Sequence, residues 1–289
     1  MSTERGARAC LIGAGRAGGS LALAWHAAGR LHFAGVVTRS GESAVADRLG
    51  CPVGTDLATL PPVDVWVIAT PDDSLAEVSS ALARTGAARA PATAFHLSGA
   101  VSSRVLAPLA ARGVAVASAH PVRSFPRLDT ALAFVGTRCA LEGDAAAVAV
   151  AKALFGSLGG RCFDLCSNGK VAYHGAAVLA NNGLVALADA ALASWRAAGV
   201  PTEHAAELFS DLATGAIDNL VADGPRAALS GPVVRGDAGV VARHCADLDA
   251  RDALAAEIYR VLSRRLLQLA SDSLDADARA ALERVLESP

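Results

Sequence analysis

Apolar residues come in short runs through the first 165 or so positions and at helical spacing after that. Runs at 8–12, 31–38, 63–69, 92–97 and 114–119 read as strands, with a short apolar piece at 51–53 and shorter strands at 138–141 and 161–163. Between them, segments at 20–28, 42–49, 74–84 and 144–158 carry helical spacing. This alternation predicts an α/β fold, a doubly wound and mainly parallel sheet with helices on both faces. Past Leu165 the strand signal vanishes. A long helix is expected from Ser167-Asn168 to about Ala198, ended by Gly199-Val200-Pro201, with further helices near 202–222, 238–248, 251–272 and 275–286. The expected organisation is two domains, 1–165 and an all-α 166–289.

Composition narrows the partners. Hydrophobic residues make 53% of the chain and aromatics only 4%, so the core is expected to be mostly Ala, Val and Leu. A net charge of −2 with no block of like charges argues against nucleic acid or an anionic membrane surface. The polar start, Met1 to Arg5, passes straight into the first strand, which fits a cytoplasmic protein without a signal peptide. Positions 171–188 carry no formal charge. His174, Asn181, Asn182 and Gly183 near their middle point to a helix covered by protein on most sides, not a bilayer span, and so to a homodimer. The six cysteines have neither CxxC nor zinc-ligand spacing, so reduced thiols and no metal site are expected.

The strongest chemical signal is Gly13-Ala14-Gly15-Arg16-Ala17-Gly18, set between the first strand and a helix. In that context a GxGxxG pattern is a dinucleotide-binding fingerprint. Gly13 permits the turn, Gly15 admits the pyrophosphate, and Gly18 lets helix and strand pack closely. The second strand ends in Thr38-Arg39-Ser40, with no carboxylate before Glu42 to grip a ribose 2′-hydroxyl. A guanidinium there suits a phosphate, so NADP(H) is expected over NAD(H).

Ligands in open parallel sheets bind beyond the carboxyl ends of the strands. Thr70-Pro71 is expected beside the cofactor, with Asp72 or Asp73 capping the next helix. Ser98-Gly99, His120 and Arg123 end the following strands and can hold a substrate carboxylate. His96, inside its strand, reads as a core histidine. On the long helix Lys170, His174 and Asn181 fall within about 40° of one another, and Asn182 on an adjoining face. Lys170 is either an exposed first-turn residue or a helper in proton transfer. The loop Ser230-Gly231-Pro232-Val233-Val234-Arg235-Gly236-Asp237 offers Arg235 as an anion contact, unless it pairs with Asp237.

These elements together resemble the bacterial Rossmann-like oxidoreductases whose all-helical C-terminal domain was long of unknown function. The resemblance rests on the glycine turn, His96-Leu97-Ser98-Gly99-Ala100, His120-Pro121-Val122-Arg123-Ser124-Phe125, Tyr173-His174-Gly175-Ala176-Ala177, Asn182 and the Gly231–Asp237 loop. The architecture is similar to that of ketopantoate reductases, β-hydroxyacid dehydrogenases and pyrroline-5-carboxylate reductases. It implies an NADPH-dependent reductase of a small 2-oxo acid, with 2-dehydropantoate and pantothenate synthesis the leading expectation. In that role His174 is the proton donor, assisted by Lys170. Asn182 with Asn181 orients the carbonyl, and Ser98, Gly99, His120, Arg123 or Arg235 hold the carboxylate. Ketopantoate reductases carry lysine, then asparagine four and eight residues on. Aligned on Asn182, this chain has His174 and Val178 at the first two places. An imine reductase of the pyrroline-5-carboxylate type, which needs no strong acid, is the alternative, and a non-catalytic NADPH sensor or scaffold a third.

Overall fold

The computed structural model describes residues 6–128 and 133–287; the polar residues 1–5 lie outside them. Among the described residues eight strands form one sheet: β1 Ala7–Ile12, β2 Leu31–Val37, β3 Val53–Gly54, β4 Val65–Ile68, β5 Thr93–His96, β6 Ala115–Pro121, β7 Arg138–Gly143 and β8 Arg161–Asp164. Their order is β3-β2-β1-β4-β5-β6-β7-β8. Pairing is parallel from β3 to β6, antiparallel between β6 and β7, and parallel again between β7 and β8. The expected doubly wound, mainly parallel sheet is present, and a reversed pair closes one edge.

Strand alternation sends β1 side chains to two separate layers. Ala9 and Leu11 pack with Leu21 and Trp25 of α1 (Arg16–Ala27), Val45 of α2 (Ala44–Leu49) and Phe155 of α5 (Ala145–Ser157). Cys10 and Ile12 pack on the other face with Leu75 and Leu82 of α3 (Leu75–Thr85) and Leu109 of α4 (Ala107–Ala110). Burying a side chain such as Leu82 completely is worth roughly 1.5–3 kcal/mol. Small residues alone do not fill this core. Trp25, Trp66, Phe95, Phe134 and Phe155 are its largest fully buried side chains, and the Trp25 indole donates to the Leu154 carbonyl at 3.0 Å.

The chain has two compact units, which part between Val178 and Leu179. A boundary at 165/166 was expected where the strand signal stops. The observed one lies inside α6 (Lys170–Ala197), because the first turns of that helix are bonded to the sheet of the first unit. The second unit holds α7 (Thr202–Ala227), α8 (Ala238–Arg251), α9 (Ala253–Ala270) and α10 (Ala276–Glu287). Its core is Val233, Val241, Cys245, Leu267, Leu282 and Leu286. The Arg260 guanidinium grips both oxygens of Asp249 beside it.

One expectation about α6 fails within the chain. The helix is not covered by protein: the most apolar part of Ser167–Ala197 has no buried residue, and Val171, Leu179 and Val185 are 75%, 77% and 67% exposed. Among the described residues of α6 only Lys170 is buried. The helix is long and apolar enough to cross a membrane by length and composition. The side of its first turns that meets the sheet carries Lys170, Tyr173 and His174, and its apolar residues are left outside.

Candidate functional site

The carboxyl ends of β1, β4, β5 and β6 form one edge of the parallel sheet, and most of the expected site residues of the first unit lie along it. At β1 the chain turns through Gly13 at φ +90°, a conformation that favours glycine. A β-carbon there would stand 2.6 Å from the Ala69 carbonyl oxygen. One on Gly18 would stand 2.4 Å from the Ala69 β-carbon and 2.8 Å from the Gly13 carbonyl. These two glycines let α1 press against β1 and β4. Gly15, the residue capping α1, has the opposite setting: nothing lies within 4 Å of where its side chain would begin. No side chain caps this helix and no acid occupies its first turn. Ala14 and Ala17 add only methyl groups around it. The result is a bare, partly positive helix start with free N–H groups, the cradle a diphosphate fits.

Neighbouring residues divide into those held by the protein and those left open. Arg16 donates to the Pro126 carbonyl at 3.1 Å, so its head group ties α1 to the loop after β6. Thr38, Ser40 and Glu42 stitch their own turn: the Gly41 N–H donates to the Thr38 hydroxyl and the Glu42 N–H to the Ser40 hydroxyl. Arg39 is exposed at the head of this turn. The Thr70 hydroxyl is buried without a partner beside Gly13. Pro71 starts a short turn over Asp72–Ser74 closed by backbone bonding, with no capping by either aspartate. The capping expected of Asp72 or Asp73 is therefore absent, since Pro71 already carries the extended backbone of a cap.

The ends of β5 and β6 meet the first turns of α6. Ser118 and His120 project from one face of β6, two residues apart. Lys170, Tyr173 and His174 share one face of the helix. The two periodicities mesh. Lys170, 1% exposed, donates from Nζ to the Ser98 carbonyl at 2.8 Å and to the Ser118 hydroxyl. Tyr173 lies with its hydroxyl 2.8 Å from His120 Nδ1. The His174 ring stands nearly perpendicular to that of His120, centroids 5.8 Å apart, with its Nδ1 buried and unpartnered. Both rings close on Gly99: a β-carbon there would lie 2.5 Å from His174 Nδ1 and 2.9 Å from His120 Nε2. An exposed first-turn Lys170 is thus excluded, and its ammonium is already engaged by two acceptors.

Burial sets the charges here. Desolvation, with the Lys170 cation next and His174 after it, pushes His120 down to about 4. Desolvation and then Lys170 do the same to His96, also to about 4. Lys170 falls to about 8 by burial, while Glu142 and Asp72 pull it back up. Both histidines are therefore neutral near pH 7. His96 is a buried core residue whose Nδ1 accepts the Ser98 N–H at 3.2 Å.

Several expected ligand contacts have other partners. The Ser98 hydroxyl accepts the N–H groups of Ala100 and Val101, so it closes its own turn. Arg123 donates to the Ala133 carbonyl and lies over the Phe125 ring, so it ties its own loop together. In the second unit Arg235 pairs with Asp237 at 2.9 Å, so Asp237, at the N-cap of α8, makes no side-chain cap bond and Arg235 is not a free anion contact. Asn181 and Asn182 are exposed, in weak contact with each other at 3.4 Å.

Three neighbours of the site have no role assigned to them in the sequence reading. Glu142 is buried and accepts the Ser103 N–H at 2.6 Å, the Ser103 hydroxyl at 2.8 Å and the Ser167 hydroxyl at 2.5 Å. It fastens the segment before α6 to the sheet. Its signal was an acid closing the apolar run Cys139-Ala140-Leu141. Ser118, a lone hydroxyl in an alanine-rich strand, and Tyr173, three residues after Lys170, are the others.

Residues 3–121 match the model of the Rossmann-like domain, and residues 137–266 match that of a domain of unknown function, DUF2520. No curated protein matches the chain. Among solved structures, a Bacteroides fragilis protein provisionally assigned as an NADP oxidoreductase is similar, with a TM-score of 0.75 at 23% identity over 91% of this chain and 99% of its own. A Thermotoga maritima protein reaches 0.69 at 25% identity, over 92% and 99%. An imine reductase from Myxococcus stipitatus, in complex with NADP+, reaches 0.67 at 17% identity, over 97% and 100%. These likenesses are of fold.

Proposed function

We propose that this chain, whose residues 3–121 match the Rossmann-like model and 137–266 the DUF2520 model, is an NADPH-dependent reductase of a small, carboxylate-bearing C=N or C=O compound. The observation that carries this reading is the bare helix start at Gly15, backed by Gly13 and Gly18, on the same sheet edge as Gly99, His120 and His174. The α1 N–H groups receive the diphosphate, Arg39 and Ser40 the extra ribose phosphate, and Thr70 offers its free hydroxyl beside them. NADPH, when bound, supplies the hydride. The imidazoles of His120 and His174 hold and polarise the acceptor. The NADP+ complex of the Myxococcus stipitatus imine reductase supports the cofactor and the reaction class.

Between the two acceptors, the chemistry of the edge favours C=N. Lys170 is engaged and His120 is held neutral, so neither is a ready acid. An imine enters protonated near neutral pH and needs none. The 2-oxo acid reading, with 2-dehydropantoate as substrate, is favoured by one feature: the buried, unpartnered Nδ1 of His174, a donor site for a forming alkoxide. NADPH oxidation with 2-dehydropantoate against a cyclic imino acid separates these readings. Tight NADPH binding with neither turned over overturns both and leaves a sensor. The reading includes a homodimer, supported by the exposed apolar residues of α6 and by Leu212 and Val221 of α7, and a cytoplasmic location.

A further inference from the structure

Tyr173 faces His120 across a 2.8 Å contact from its hydroxyl to the ring Nδ1. Either group can donate in such a contact, and the two choices give different histidines. If the ring donates from Nδ1, its Nε2 is a bare acceptor. If the phenol donates, Nε2 keeps the proton. A phenol is the stronger hydrogen-bond acid and an imidazole nitrogen the stronger acceptor, so O–H to Nδ1 is the favoured direction.

We propose that Tyr173 is a positioning residue that locks His120 in the Nε2–H form, making it a neutral hydrogen-bond donor aimed at the space beside Gly99 and His174. The Nε2 edge lies against Gly99, 2.9 Å from where a β-carbon would stand. The unpartnered Nδ1 of His174 approaches the same point. Glycine leaves this small volume open, and two imidazole edges border it. The ligand chemistry is a hydrogen-bond acceptor: a carbonyl or carboxylate oxygen. The charge states agree, since burial holds Tyr173 up to about 12 and so protonated, and His120 neutral. Phe163, edge-on to the Tyr173 ring at 6.2 Å, and His120, edge-on at 5.7 Å, keep the phenol in place.

This deepens the proposed function in naming the acceptor, but its test does not depend on turnover. Full-length protein labelled with 15N-histidine is examined near pH 7 by long-range proton–nitrogen correlation, and the His120 signals are assigned by their loss in His120→Gln. The expected result is one tautomer, with Nε2 protonated and Nδ1 not. In Tyr173→Phe, which keeps the ring and its packing, the expected result is a shift of both nitrogens to intermediate values, with the melting temperature showing that the fold is retained. Protonated Nδ1 in the unaltered protein, or an unchanged Nε2–H signature in Tyr173→Phe, overturns the proposal. A locked tautomer in a protein that reduces neither substrate sinks the reductase reading alone.

Discussion

Lys170 Nζ lies 2.8 Å from the carbonyl oxygen of Ser98, so a buried cation on the first turn of α6 ties that helix to the loop ending β5. The same ammonium reaches the Ser118 hydroxyl on β6. Replacing it by the similarly sized methionine removes the donor from two acceptors in a water-poor place. Lys170→Met is expected to cost roughly 1–3 kcal/mol, read as a lower urea midpoint. NADPH affinity is expected to hold, because the glycine turn is untouched. An unchanged midpoint would mean the ammonium is not part of the scaffold.

Gly99 is the point on which two imidazoles converge. Alanine there would bring a β-carbon to 2.5 Å from His174 Nδ1, so the rings must move apart. Crowding of this kind costs roughly 1–3 kcal/mol. Gly99→Ala is expected to lower kcat with little change in the Kd for NADPH, checked by steady-state kinetics and cofactor titration. Wild-type turnover would place the reacting atoms elsewhere.

Acid should weaken the fold through His96 and His120. Each is held down to about 4 in the folded protein from an ordinary 6.5, so between these values the unfolded chain binds the proton and the folded one does not. Stability from each is complete above about pH 6.5 and drains as pH falls toward 4, by roughly 1.4 kcal/mol per unit. Lys170, lowered to about 8 from 10.5, acts at the other end: its contribution rises with pH across that window. Denaturation midpoints for the wild type and His120→Gln, compared from pH 7 to pH 4, check the acid limb. Parallel curves would refute it.

Arg39 stands exposed where β2 turns toward α2, with the Ser40 hydroxyl held in the turn beside it. Arg39→Ala is expected to raise the Kd for NADPH about tenfold, near 1.4 kcal/mol, and to leave NADH unaffected. Isothermal titration with both cofactors measures this, and equal losses for the two would remove the phosphate contact.

Leu179 and Val185 on α6 are apolar and mostly exposed. Leu179→Asp with Val185→Asp is expected to convert a homodimer to monomers on a light-scattering column. A monomeric wild type would withdraw the second copy from the reading.

What could be read from the sequence was whatever depends on near neighbours. The glycine turn, the strands other than the two-residue β3 and the helices of the C-terminal half follow from local periodicity and from residues that stop it, such as Pro71 and Gly199-Val200-Pro201. The long-range partners were not legible. Arg16 finds Pro126 more than a hundred residues away, and Glu142 collects Ser103 and Ser167 from either side of its own strand. Tyr173 and His120 were each visible, yet no spacing rule joins a strand end to a helix fifty residues later. Arg123 and Arg235 looked free because a charge in a loop carries no sign of its partner. The exposure of α6 depends on what lies outside a single chain, which periodicity does not record.

The parting of the two units inside α6 has a practical bearing on rebuilding the protein. Most molecules of this size divide at a linker, where a helical half can be exchanged by cutting between elements. Here a graft cut at 165/166 would carry Lys170, Tyr173 and His174 away with the wrong piece. A transplant that keeps the edge chemistry has to be spliced within a continuous helix, after Val178, with the turn of the incoming helix kept in phase.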